Sequence, residues 1–257
     1  MSRSEGKRAS TARHGSSTVV WLREISIVVV GALIASTLLR LFFLQMFVIP
    51  SGSMQNTLQR HDRVAVQKLA EFQRGDVVVF RDTQGWLGAV KPEDDPLRRI
   101  LIFVGLAPDE SSNHLIKRVI GVAGDHVTCC DALGRMMVNG AALDEVSYLY
   151  TDPATGQQVD PSTVAFDVVV PAGRIFVMGD HRNNSQDSRC HLADEVPGGS
   201  AGSAAFVPAE NVVGTAVAVV FPFSRLHGFE RPATFAGVPS GVPPPAEPVI
   251  SGPTVLC

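Results

Sequence analysis

The sequence predicts a mainly β domain behind a single N-terminal transmembrane helix. Three observations carry that expectation. An apolar stretch near the N-terminus is long enough to cross a bilayer, short β-branched segments follow it, and only one later segment has clear helical periodicity. At 257 residues the chain can bury a substantial core in one large domain or two small ones. Its formal net charge of −3 offers no global attraction to nucleic acid, and no basic helix or aromatic-interleaved basic patch is present.

The first 24 residues are rich in Ser, Thr and Arg, and their composition predicts a disordered basic segment. From Ile25 to Leu39 the chain is apolar apart from Ser26, Ser36 and Thr37, and after Arg40 it is apolar again through Val48. As a helix, Ile25 to Leu44 rises about 30 Å, one crossing, so the span is placed at 25–47. Arg40 lies near its far end, where a long side chain can snorkel to the interface. A cleaved signal peptide would have a shorter apolar core and a small-x-small site after it, which favours an uncleaved anchor. Arg3, Lys7, Arg8, Arg13 and Arg23 outnumber Glu5 and Glu24 before the span. That excess predicts a cytoplasmic N-terminus and an extracytoplasmic domain over 48–226.

Strands are expected at "RVAVQKL" (63–69), "DVVVF" (76–80), "HLIKRVIGV" (114–122), "HVTCC" (126–130), "RMMVNG" (135–140) and "RIFVMG" (174–179). "NVVGTAVAVVFPF" (211–223) is long enough for a bent strand with Gly214 at a kink. The helical candidate is "PLRRILIFVGL" (96–106), within a segment, 83–113, that reads as an insertion between strands. Residues 227–257 are Pro- and Gly-rich, and that composition predicts a disordered tail. Four cysteines, Cys129, Cys130, Cys190 and Cys257, are too few for a disulfide scaffold and lack CxxC spacing. Adjacent cysteines are poorly placed to bridge each other, so a bond from Cys129 or Cys130 to Cys190 is expected, with free buried thiols as the alternative.

For chemistry, a serine hydroxyl needs a neighbouring base. The seven histidines occupy no nucleophile-elbow context, and G-x-S-x-G is missing. Lys117, between Ile116 and Val119 in a strand-like run, is the other option: burial lowers a lysine pKa toward the working range of a base. A lysine snorkelling from an edge strand is the bland alternative. Alternation sends Lys117 and Arg118 to opposite faces, one inward and the other to solvent or headgroups. "GDHRNNSQDSR" (179–189) follows the apolar "IFVM" and could be a self-capping turn with local Asp180–Arg182 and Asp187–Arg189 pairs. It could equally orient an amine.

Four stretches, "IPSGSMQNTL" (49–58), "RGDVVVF" (74–80), "KRVIGVAGD" (117–125) and "GDHRNNSQDSR" (179–189), stand in this order behind the anchor. Together they resemble the bacterial type I signal peptidases, membrane-anchored serine proteases. "ENVVGTAVAVVFPFSR" resembles that family's closing strand. The resemblance implies a coiled antiparallel β-sheet or β-barrel catalytic domain with a Ser/Lys dyad. It makes Ser53 the nucleophile and Lys117 the general base, with Ser51 and the Ser53 N–H holding the oxyanion. Ser185 would position the amine, supported by Asp187 and Arg189, while Asp180 and Arg182 match as structural positions. Ile49, Pro50, Met54, Leu58, Leu115 and Ile116 align with shallow apolar subsites for small residues. The implied substrates are secretory preproteins cut after A-x-A-like sites, at a lipid bilayer, with no metal or organic cofactor. The alternatives are a self-cleaving repressor-type Ser/Lys protease, which would carry a DNA-binding domain, and a non-catalytic membrane-tethered β domain.

Overall fold

In a computed structural model, residues 17–88, 95–97 and 113–252 are described. They form two compact units, one up to Phe42 and one from Phe43 onward. Of the expected disordered segment, residues 1–16 lie outside the described part. Most of the proposed insertion at 83–113 and of its helix also lies outside it.

The first unit is helix α1 (Ser17–Phe42), so the helix begins before Ile25. Val20–Thr37 has the length and composition of a membrane span. The helix does not run to residue 47. Instead Leu44–Val48 form strand β1, antiparallel to β2 (Arg63–Gln67) with Val48 opposite Arg63. The sequence there reads as apolar throughout, and pairing with a β-branched partner decides between helix and strand.

Two antiparallel sheets make the second unit. The larger runs β1–β2–β11–β3–β4–β9–β10, where β3 is Val77–Arg81, β4 His114–Val122, β9 Arg174–Met178, β10 Val207–Pro208 and β11 Val212–Phe221. A short strand β12 (His227–Gly228) pairs with β11 on the side of this path. The smaller sheet runs β13–β8–β5–β6–β7, with β5 at His126–Cys129, β6 at Met137–Val138, β7 at Ala141–Ala142, β8 at Phe166–Val169 and β13 at Val249–Ile250. The mainly β, antiparallel architecture expected from the sequence is therefore the one found. β11 pairs with both β2 and β3 and shifts register along each, including between Val212 and Gly214. At Gly214 an added Cβ would lie 2.1 Å from the Gln67 carbonyl oxygen, so the two backbones can approach only at glycine. Bulges of this kind bend the long strand and coil the sheet.

A core cluster containing Val127 and Phe166 of the small sheet, Phe176 and Met178 of the large one, and Phe206 joins the two sheets. A second cluster gathers Ile49, Met54 and Leu58 with Val64, Val79 and Ile116. It sits where the segment after β1 turns back toward β2.

Two expectations are corrected here. The Pro- and Gly-rich tail is packed through residue 252: Phe235 and Val238 are buried in the first cluster, Arg231 bonds Asp76 at 2.9 Å, and β13 pairs with β8. Proline fixes the local backbone, and the few apolar anchors between prolines give the segment enough contact to order it. The expected bridge from Cys129 or Cys130 to Cys190 is not formed. Cys129 and Cys130 are bonded to each other, on β5 and just after it, while Cys190, in a helical turn, is itself disulfide-bonded.

Candidate active site

The nucleophile candidate, Ser53, lies in a tight turn closed by the Gln55 N–H donating to the Gly52 carbonyl (3.0 Å) and the Leu58 N–H donating to the Met54 carbonyl (2.8 Å). Met54 and Leu58 are fully buried and pin this turn from below. They are packed in the core and do not line the adjoining cleft, unlike Ile49, Pro50, Leu115 and Ile116. The Ser53 carbonyl accepts the His181 N–H at 3.0 Å, tying the turn to the loop that follows β9.

Lys117 comes from β4, opposite Val78 of β3. Its Nζ donates to the Ser53 Oγ at 2.6 Å, and both residues are buried. Ser51 Oγ lies 3.4 Å from the same hydroxyl. No histidine ring among the described residues is bonded to the Ser53 Oγ; the ring of His181 stacks on Tyr150 at 3.8 Å, with Nδ1 2.9 Å from Gln55 Oε1. Burial pushes the Lys117 pKa from 10.5 down to about 8; the Asp187 and Asp180 carboxylates pull it up and the Arg189 guanidinium pushes it further down. Lowered to about 8, the amine reaches a neutral, proton-accepting form near physiological pH.

The loop 179–189 supports this pair. Asp187 accepts Arg189 Nε and Nη2, both at 2.9 Å, and the Gly179 N–H at 3.0 Å. Arg189 holds the Asp187 carboxylate below the usual carboxylate range against the opposing effect of burial. Gly179 runs between the nucleophile turn and Ser185: an added Cβ would lie 2.3 Å from Ser185 Oγ and 2.4 Å from the Ser53 carbonyl oxygen. Ser185 Oγ is buried and makes no hydrogen bond among the described residues, so no bond to the lysine amine is formed.

Arg118 does not face solvent. It is as buried as Lys117, bonded through Nε and Nη2 to Asp180 at 2.8 and 2.6 Å, and lies 4.3 Å above the Tyr148 ring. Arg182 pairs with Glu145 at 2.6 Å instead of with Asp180. Of the two local pairs anticipated in the sequence, only Asp187–Arg189 forms. Glu145 and Tyr148 carried no motif that could have announced them.

A cleft of about 350 Å³ opens beside the pair. Residues 47–51 line one side and residues 114–117 another, with Val79 and His61 completing it. Along His114–Lys117, β4 pairs with β3 only, because β9 joins it from Arg118 onward. Its other edge there, like the outer edge of β1, has no strand partner among the described residues. A buried hydroxyl beside an amine whose pKa is lowered to about 8, at the end of an apolar groove with free strand edges, suits acyl transfer from an extended peptide.

Comparison with known proteins agrees. Residues 21–221 match the family model described as signal peptidase, peptidase S26. Signal peptidase I of Mycobacterium tuberculosis is 35% identical over 250 residues, covering 87% of this chain and 81% of the relative. Signal peptidase I of Bacillus licheniformis is 29% identical over 213 residues, covering 80% and 90%. A crystal structure of a signal peptidase I from Enterococcus faecalis aligns with a TM-score of 0.34 at 23% identity, covering 57% of this chain and 97% of that one.

Proposed function

Because the chain belongs to the signal peptidase S26 family, we propose that Ser53 and Lys117 are its catalytic dyad. The protein is a serine endopeptidase that removes signal peptides from preproteins, and the observation that carries the residue assignment is the 2.6 Å Lys117–Ser53 contact, buried and lacking an imidazole. The extended peptide adds to the open edge of β4 between His114 and Lys117, its carbonyl facing Ser53. Lys117 Nζ takes the Ser53 Oγ proton as the oxygen attacks the carbonyl carbon. The developing oxyanion is held by the Ser53 N–H and the Ser51 hydroxyl. The Lys117 ammonium then protonates the leaving amine, and with Lys117 neutral again it draws a proton from the water that hydrolyses the acyl-serine.

Asp187 and Arg189 keep the loop in place and tune the amine through space, and the unfilled Ser185 hydroxyl is a ready partner for the ammonium form. Ile49, Pro50, Leu115 and Ile116 form the shallow apolar wall for the small residues before the cut, while Met54 and Leu58 shape it from beneath. The chain is anchored in a membrane by its N-terminal apolar helix. The basic excess before that helix supports a cytoplasmic N-terminus with the peptidase domain outside, in a bacterial plasma membrane. Cleavage of a preprotein by the wild-type chain, with N-terminal sequencing of the product, tests the reading; Ser53→Ala should give no mature product. Equal cleavage by Ser53→Ala would rule the assignment out.

A further inference from the structure

We infer that Cys190 and Cys257 are joined by a disulfide, which clamps the Pro- and Gly-rich tail behind the loop that supports the dyad. The chain has four cysteines. Cys129 and Cys130 are bonded to each other, Cys190 is disulfide-bonded, and no described cysteine is a free thiol. A disulfide takes two sulfurs and the first pair is already filled. Within one chain, Cys257 is the partner left for Cys190.

The described part of the tail already runs to the right place. β13 lies against β8, and the Ser251 N–H donates to the Asp167 carbonyl at 2.8 Å. Ile250 packs on the core cluster that contains Leu192, two residues beyond Cys190. At Gly202 an added Cβ would meet both the Ile250 Cδ1 and, at 2.7 Å, the Leu192 carbonyl oxygen. The tail and the stretch just after Cys190 therefore flank one point. From Gly252 the chain has five more residues to Cys257. Extended, they reach about 17 Å, ample to bring the two sulfurs together from so near a start.

The position of Cys190 gives the bond its consequence. It lies half-buried in the turn Ser188–His191, where its N–H donates to the Asp187 carbonyl at 2.9 Å and its Sγ sits 3.7 Å from the Ser185 carbonyl oxygen. Just before it, Ser188 Oγ accepts the Val177 N–H at 2.9 Å and Arg189 bridges to Asp187. Residue 190 is thus the far end of the loop that carries Ser185, Asp187 and Arg189. The bond closes a ring from residue 190 to residue 257 that contains β10, β11, β12 and β13. Closing so long a stretch removes much freedom from the unfolded chain, whereas the bond between neighbouring Cys129 and Cys130 closes almost none. To form it, each thiol gives up a proton and the pair passes two electrons to a disulfide oxidant, which leaves as a dithiol. An added dithiol reverses the step. The extracytoplasmic side proposed above is the compartment that favours the oxidised form.

The test uses the full-length enzyme, purified without reductant and alkylated before digestion with trypsin. Cys190 then heads the peptide 190–225, and Cys257 ends the peptide 226–257, because Arg231 precedes a proline. Mass mapping should find these two linked, and reduction should part them. Alkylated Cys190, Cys190 linked to the peptide 119–135, or a dimer held through Cys190 overturns the proposal. Thermal melts test the clamp. Cys257→Ser should lower the Tm by about 5–15 °C, wild type in dithiothreitol should melt at about that lowered temperature, and the reductant should not move the variant. A Tm equal to that of wild type in Cys257→Ser overturns the clamp. At 25 °C the variant should cleave a preprotein within about twofold of wild type, since the Lys117–Ser53 contact and the Asp187–Arg189 pair form without the tail. Absence of cleavage by wild type would count against the peptidase reading, and the peptide map would still decide the bond.

Discussion

With Lys117 as the proposed base, its burial should set the pH at which the enzyme works. A free lysine of pKa 10.5 is neutral in roughly one molecule in three thousand at pH 7, whereas one lowered to about 8 is neutral in roughly one in eleven. The net shift, dominated by burial, therefore raises the population of competent base about 300-fold at that pH. Since the neutral form is the reactive one, kcat/KM should climb about tenfold per pH unit below pH 7.5, bend near 8 and level off above 9. The assay is cleavage of one preprotein from pH 6 to 9.5 at constant ionic strength, limited to substrate well below KM. Asp187→Asn provides the internal control. The Asp187 carboxylate raises the Lys117 pKa, so its loss should move the bend to lower pH. A profile flat from pH 6 to 9, or a bend that moves upward in Asp187→Asn, would refute the reasoning.

Three other outcomes follow from the same geometry. Lys117→Met should abolish cleavage yet raise stability at pH 7 by up to about 3 kcal/mol, because a buried amine that must be protonated below its folded pKa burdens the fold. That advantage should shrink as pH rises from about 8 toward 10.5, where wild type sheds the burden, and thermal melts across this range would show it. Ser51→Ala should leave KM nearly unchanged and lower kcat about 10²–10³-fold, as loss of an oxyanion donor does; a raised KM with kcat unchanged would argue for a role in binding instead. Arg182→Met strands the buried Glu145 carboxylate, so chemical denaturation should register a loss of about 3–5 kcal/mol.

Much of the site was legible because its residues combine a rare type with a local pattern. Lys117 stands out as a charge inside a β-branched run, and the 114–122 stretch forms a strand over that full length. Ser51 and Ser53 are singled out in the sequence only by the resemblance of "IPSGSMQNTL" to the signal peptidase motif. What was hidden depends on distant partners. Nothing local tells that Leu44–Val48 leave the helical register to pair with Arg63–Gln67, nor that Arg118 turns from solvent to Asp180, 62 residues away. Glu145 and Tyr148 look like ordinary turn residues until Arg182 and Arg118 are folded against them. The tail misleads by composition. Prolines depress any estimate of order, yet Phe235 and Val238 suffice to hold their segment in the core.

The strand order also has a consequence in time. Ser53 follows β1, and Lys117 lies on β4, but in the sheet the two are joined through β2, β11 and β3. The strand that closes the gap between β2 and β3 is Val212–Phe221, which is made well after β4. A nascent chain emerging N-terminus first thus carries the proposed nucleophile and base for an interval without the scaffold that brings them together. The two side chains meet only once β11 has been made and paired.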